Sequence, residues 1–123
     1  MFQGATVFNQ DLSAWNTSLF RWTDYMFSGA TNFNGDVSTW DVRNIVRASA
    51  MFQSCSKFNK PIPNWNWALM TVAANMSHMF NSASIFNQDL SNWKVTGVTT
   101  APANFVNSTP MVALTAQHPK WGV

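Results

Sequence analysis

Hydrophobic and polar positions recur along this chain in one phrase, Met-Phe-x-x-small-x-x-Phe-Asn-x-x-aliphatic-x-x-Trp. It starts at Met1, Met26, Met51 and Met79. The first two intervals are 25 residues and the third is 28. Self-similarity at such a period marks a repeat architecture in which each unit buries its apolar face against its neighbours. The repeats are read as 1–25, 26–50, 51–78 and 79–103, followed by a degenerate cap at 104–123, all in one domain. In the cap, Phe105, Ser108 and Met111 take the places of Phe, the small residue and Phe.

The apolar spacing changes character inside each unit. Ile45, Ala48, Met51, Phe52, Cys55 and Phe58 step by three or four, the spacing of one helical face, and predict a short helix. The aliphatic residues Leu12, Val37, Ile62 and Leu90 predict one short strand per unit, paired in parallel with its equivalents. The expected fold is therefore an α/β repeat solenoid with one strand and one helix per repeat. Pro61 and Pro63 remove two backbone donors around Ile62 and predict a weak or bulged third strand. The three extra residues of the third unit lie between Trp65 and Met76, and are placed around Trp67-Ala68-Leu69-Met70.

The motifs at 1–15 and 79–93, with Asn75-Met76-Ser77-His78-Met79-Phe80, resemble the bacterial surface-protein repeat of about 25 residues related to BspA-like leucine-rich repeats. That resemblance covers residues 1–111. It implies a right-handed, leucine-rich-repeat-like coil, a cell-surface or extracellular setting, and adhesion or protein binding. Membership of an intracellular or organellar complex, as in a protist or algal homologue, is the alternative it leaves open.

Composition narrows the chemistry. Charged residues make up 10% of the chain, with five Asp and no Glu, so polarity comes from short neutral side chains that bond to nearby backbone. Seven Lys and Arg are scattered without a run, which gives no electrostatic footprint for nucleic acid. No stretch reaches the roughly 18 apolar residues needed to span a bilayer. Met1 stands at the repeat's own Met position, so the chain reads as part of a longer polypeptide.

Four columns carry the candidate sites. Trp15, Trp40, Trp65 and Trp93 read as a buried stack, with an exposed aromatic strip for carbohydrate as the weaker alternative. Asn9, Asn34, Asn59 and Asn87 read as an internal asparagine ladder bonded to turn backbone of their own and adjacent units. Asp11, Asp36 and Asp89 share a register and read as turn residues rather than calcium ligands, since calcium needs six or more oxygens. Trp22 and Trp67 look off-register and are taken as exposed contacts for a protein partner.

No order or spacing of Ser, His, Cys or Asp meets the requirements of a catalytic or metal site, and neither cofactor nor metal is expected. Cys55 replaces the small residue of the motif and reads as a buried small hydrophobe. The function expected is non-catalytic: an interaction or adhesion module, or else a scaffolding subunit of a large assembly. Because the phrase is at full strength from Met1, the N-terminal face is expected to be covered by further repeats or another subunit.

Overall fold

The computed structural model describes residues 1–123. Successive repeats stack in register, but not as the α/β solenoid the spacing predicts. There is no α-helix and no sheet. Strand pairing is limited to two isolated parallel bridges, Trp22 with Arg47 and Asn66 with Lys94. The helical elements are three short 3-10 turns, Ala73–Met76, Pro110–Ala113 and Thr115–Gln117. The leucine-rich-repeat-like geometry implied by the resemblance falls with the strand and helix.

The reason lies in how backbone donors alternate around each Met-Phe pair. Met26, Ser28 and Ala30 donate three residues back, to Thr23, Tyr25 and Phe27. The residues between them donate to the next repeat: Tyr25 to Ser49, Phe27 to Met51 and Gly29 to Gln53, at 2.8–2.9 Å. An α-helix would need every donor within the segment and four residues back. Two columns of left-handed residues interrupt it as well: Tyr25, Ala50, His78 and Asn104 before the Met position, and Gly4, Gly29, Ser54, Ser82 and Ser108 three residues after it. The result is a run of tight turns, each tied to the next unit. Turns with three-residue bonds put apolar side chains at intervals of three and four, as a helix would.

Aromatic columns form the core. Phe2, Phe27, Phe52 and Phe80 stack at 5.4–5.6 Å with planes within 10°. Phe8, Phe33, Phe58 and Phe86 make a second column at 5.6–5.8 Å. Within a repeat the two columns touch, as in Phe27–Phe33 at 4.2 Å. Such offset stacks gain beyond the area they bury. Ala30, Cys55 and Ala83 are fully buried beside them, and Cys55 Sγ donates to the Phe27 carbonyl at 2.9 Å.

The third repeat corrects two expectations. Met70 keeps the register of Phe20 and Ile45, each donating three residues back, so the extra residues fall after it. Asn75 then accepts from Ala48, and the surplus is taken up by the 3-10 turn Ala73–Met76. Nor is Pro61-Ile62-Pro63 a weak rung. In the other repeats Asp11, Asp36 and Asp89 accept from the backbone of Ser13, Ser38 and Ser91 at 2.8–2.9 Å. Pro61 deletes that acceptor and Pro63 deletes its donor together, which leaves no orphan. Ile62 stays fully buried in register.

The cap begins one residue later than the sequence suggests. Phe80 donates to the Phe105 carbonyl, as Phe52 does to Met79, so Phe105 stands in the Met column and Val106 in the Phe column. Thr109, not Ser108, takes the small-residue place: Ser108 is left-handed like Ser82.

Candidate functional site

The two ends of the stack differ, and the N-terminal end carries the unsatisfied chemistry. Six large hydrophobics stand exposed in residues 1–25, namely Met1, Val7, Trp15, Leu19, Trp22 and Tyr25. Over the next three repeats only Leu69, Val72 and Ile85 do so. Phe2 and Phe8 stack on each other at 3.9 Å and each on a ring of the second repeat, with no ring of a preceding repeat beyond them.

Backbone groups follow the same logic. Every carbonyl two residues before the Met position, at it, and two after it accepts from the preceding repeat at 2.7–2.9 Å where such a repeat exists, as with Met26 and Ser28 from Phe2 and Gly4. The equivalent carbonyls of Met1, Gln3 and Asp24, together with that of Trp22, have no partner in the chain. A cavity of about 210 Å³ opens beside that edge, lined by Met1, Phe20, Trp22, Thr23, Asp24 and Met26. One repeat further on, the Arg47 carbonyl at the corresponding edge is filled by Thr23, whose N–H and hydroxyl both donate to it at 2.8 and 3.2 Å. The Asp24 carboxylate is committed elsewhere, to Arg47 at 2.7 Å and to the Ser49 N–H at 2.9 Å.

Of the two tryptophans expected to meet a partner, the structure leaves Trp22 74% exposed on this edge and buries Trp67 completely. Trp67 is not off-register. It lies two residues after Trp65, as Val42 follows Trp40 and Val95 follows Trp93, and it packs on Trp65 at 5.5 Å and Trp93 at 5.4 Å. The recurrence of Thr17, Val42 and Val95 at that place is the signal that would have found it.

The tryptophan column is buried from Trp40 onward, and Trp15 at its end is 36% exposed. Each indole N–H donates to the preceding repeat's aliphatic carbonyl: Trp40 to Leu12 at 3.0 Å, Trp65 to Val37 at 3.3 Å and Trp93 to Ile62 at 2.7 Å. For Trp15 no acceptor exists. The asparagine ladder forms across repeats: the N–H of Asn34, Asn59 and Asn87 donates to Oδ1 of Asn9, Asn34 and Asn59 at 2.7–2.9 Å. It runs along a part-exposed flank rather than inside, and the Asn9 N–H at its head is unpaired.

Elsewhere the buried Trp67 indole N–H and the Gln117 Oε1 lack partners, while the turn carboxylates are committed locally. Bonds from Ser13 and Ser91 hold the Asp11 and Asp89 carboxyls below the ordinary aspartate range. No three His, Cys, Asp or Glu side chains converge on a metal position. His78 contacts Asn104 at 3.1 Å at the surface, and the His118 ring donates to the Met111 carbonyl at 2.6 Å. Burial pushes the Cys55 thiol up to about 12. No helix is long and apolar enough to cross a membrane.

A family model described as "Mycoplasma protein of unknown function, DUF285" matches residues 1–74 and 66–121. It agrees at a coarse level with the bacterial surface-repeat family the sequence resembles. No curated protein and no solved structure matches the chain.

Proposed function

The chain belongs to the DUF285 family, and from that premise we propose that it is a non-catalytic interaction module whose first repeat is a protein-binding face. One observation carries the reading: exposed Met1 and Trp22 line one cavity where backbone acceptors are also free, in a repeat that leaves Leu19 exposed as well. Apolar patches with open hydrogen-bonding edges are the signature of contact surfaces in otherwise well-packed domains. Adhesion at a cell surface, which the resemblance implies, is the setting we favour; a place within a larger assembly would use the same face.

A non-catalytic role is supported by the state of the reactive groups. His78 and His118 are on different repeats and bonded to different partners, and the Cys55 thiol is buried and protonated at neutral pH. Binding of sugars on a tryptophan strip would have only Trp15 to work with, since Trp40, Trp65 and Trp93 face the core.

The test is sedimentation of the purified chain. At tens of micromolar it should associate with itself in a concentration-dependent way through the open face. The paired substitution Leu19→Arg and Trp22→Arg should return it to a monomer with an unchanged melting temperature. A wild-type chain that stays monomeric at those concentrations would sink the reading.

A further inference from the structure

We infer that the occupant of the open N-terminal face is a polypeptide carrying one more repeat of the same motif, docked through its uncapped C-terminal side. This rests on the interaction-module reading and names its partner.

The argument is complementarity, position by position. Inside the chain, repeat 26–50 offers its successor a fixed set of groups. Phe27 and Gly29 donate to the carbonyls of Met51 and Gln53, and Ala48 and Ala50 donate to those of Asn75 and Ser77. Asn34 Oδ1 accepts from the Asn59 N–H, and the Val37 carbonyl accepts from the Trp65 indole. The open face presents the matching half of that set. Met1 and Gln3 have free carbonyls where Met51 and Gln53 are filled, and Trp22 and Asp24 where Asn75 and Ser77 are filled. The Asn9 N–H and the Trp15 indole are free where Asn59 and Trp65 are bonded.

The shape agrees with the hydrogen bonds. Phe27 and Phe33 of repeat 26–50 lie over Phe52 and Phe58 at 5.4 and 5.8 Å, and half-buried Phe2 and Phe8, stacked on each other in the same way, offer the same pair of rings. The 210 Å³ cavity between Phe20 and Met26 sits where the residue equivalent to Ala48 or Thr23 would lie. An unrelated extended strand would satisfy carbonyls on one edge but not the Asn9 donor, the indole and both rings together. The chain's own C-terminus does not fit. Phe105 there is turned edge-on to Phe80 by 87°, and Trp121 stands across it at 89°. Head-to-tail pairing of two copies is thereby blocked, and any association of the bare chain uses the open face imperfectly.

The probe is a synthetic peptide with the sequence of residues 26–50, added to the full chain, with the same peptide scrambled and a Phe27→Ala, Phe33→Ala version as controls. Hydrogen exchange followed by NMR should show at least tenfold slowing at the Asn9 amide and the Trp15 indole, saturably, with the native peptide alone. The same peptide should shift self-associated chain to a one-to-one complex in sedimentation. If the chain self-associates but the peptide neither protects those two groups nor dissolves the oligomer, the repeat assignment is overturned while the interaction reading stands. A face-to-face dimer that protects both groups by itself would assign the face to a second copy and overturn it equally. A chain that neither associates nor binds the peptide removes both.

Discussion

The two ends of the stack begin from the same column of rings and finish it in opposite ways. At the C-terminal end, Phe105 enters from the Met column and meets Phe80 edge-on, then Trp121 meets Phe105 edge-on in turn. A T-shaped contact presents no flat face to a further ring, so the column stops. The cap also absorbs donors: Leu90 and Val95 donate to the Gln117 and Val123 carbonyls, and Pro110 brings no N–H of its own. Thr109 closes the turn by accepting from Met111 and donating to Val106. At the N-terminal end, Phe2 lies within 10° of Phe27 and of Phe8, half-buried and still parallel to the column. A repeat stack propagates by default, and it ends only where the sequence rotates a ring and spends its backbone donors locally.

The largest test of that contrast compares a ring in the middle of the stack with one at its end. Phe33 is fully buried between Phe8, Phe27 and Phe58, so Phe33→Ala should cost ~3–5 kcal/mol. Phe2 is half-buried, stacked on Phe8 and Phe27 with no repeat before it, and Phe2→Ala should cost about half as much by the same cavity argument. Gln53→Ala, half-buried with its backbone bonds intact, should stay within about 0.5 kcal/mol. Urea melts decide the matter. Equal losses for Phe33 and Phe2 would mean that the first repeat is packed like the others.

Indole hydrogen bonds give the next contrast. Trp40→Phe keeps most of the ring but removes the indole bond to the Leu12 carbonyl, which retains the Trp15 N–H, and should cost about 1 kcal/mol for the lost hydrogen bond. Trp15 donates to nothing in the chain, so Trp15→Phe should fall within about 0.5 kcal/mol. With the native repeat peptide bound, that difference should narrow, because the Trp15 donor then has an acceptor to lose.

Much of this arrangement was legible in the sequence. The register of Met, Phe, Asn and Trp brought equivalent side chains of successive repeats together, because those side chains are what holds one repeat on the next, but the asparagines run along a part-exposed flank and not inside as the sequence suggested. The backbone was not legible. The spacing of Ile45, Ala48, Met51, Phe52 and Cys55 is that of a helical face, and three-residue turns reproduce it. The distinguishing sign was the column Gly4, Gly29, Ser54 and Ser82, since glycine is the residue that most readily takes a left-handed backbone. A left-handed residue at that place in each repeat cannot lie in a helix. Trp67 misled for a different reason: an uncommon residue type drew attention away from its register, which Thr17, Val42 and Val95 fix. The free edge at Trp22 and Asp24 needed coordinates, because it is defined by which carbonyls lack donors.

The asparagine ladder should show a smaller end effect. Asn34 Oδ1 takes the Asn59 N–H at 2.9 Å, and Asn34→Ala should cost about 1 kcal/mol. Asn87 donates to Asn59, but its own side chain accepts nothing from the cap, so Asn87→Ala should be near neutral. Chemical denaturation of the two single variants separates a ladder from a row of solvated amides, for which both losses would be small and equal.

The smallest effect should be blind to the ends, and that is its use. Asp11 lies in the open repeat and Asp89 in the last full repeat, yet each accepts from a serine two residues on in its own turn. Those bonds are the leading cause that holds both carboxyls below the ordinary aspartate range. A group whose folded value is depressed stabilises the fold above its unfolded value and loses that contribution as pH falls through the folded one. Both turns should therefore weaken only in acid, below the ordinary aspartate range, and to the same extent. Asp11→Asn and Asp89→Asn keep an acceptor oxygen for Ser13 and Ser91, so each should flatten the acid limb slightly without shifting the melting temperature at neutral pH. NMR titration of the two carboxyls provides the check. An Asp11 that titrates at the ordinary value while Asp89 stays depressed would show that the open end loosens even its own turns, and the contrast between the ends would then extend from the face into the repeat itself.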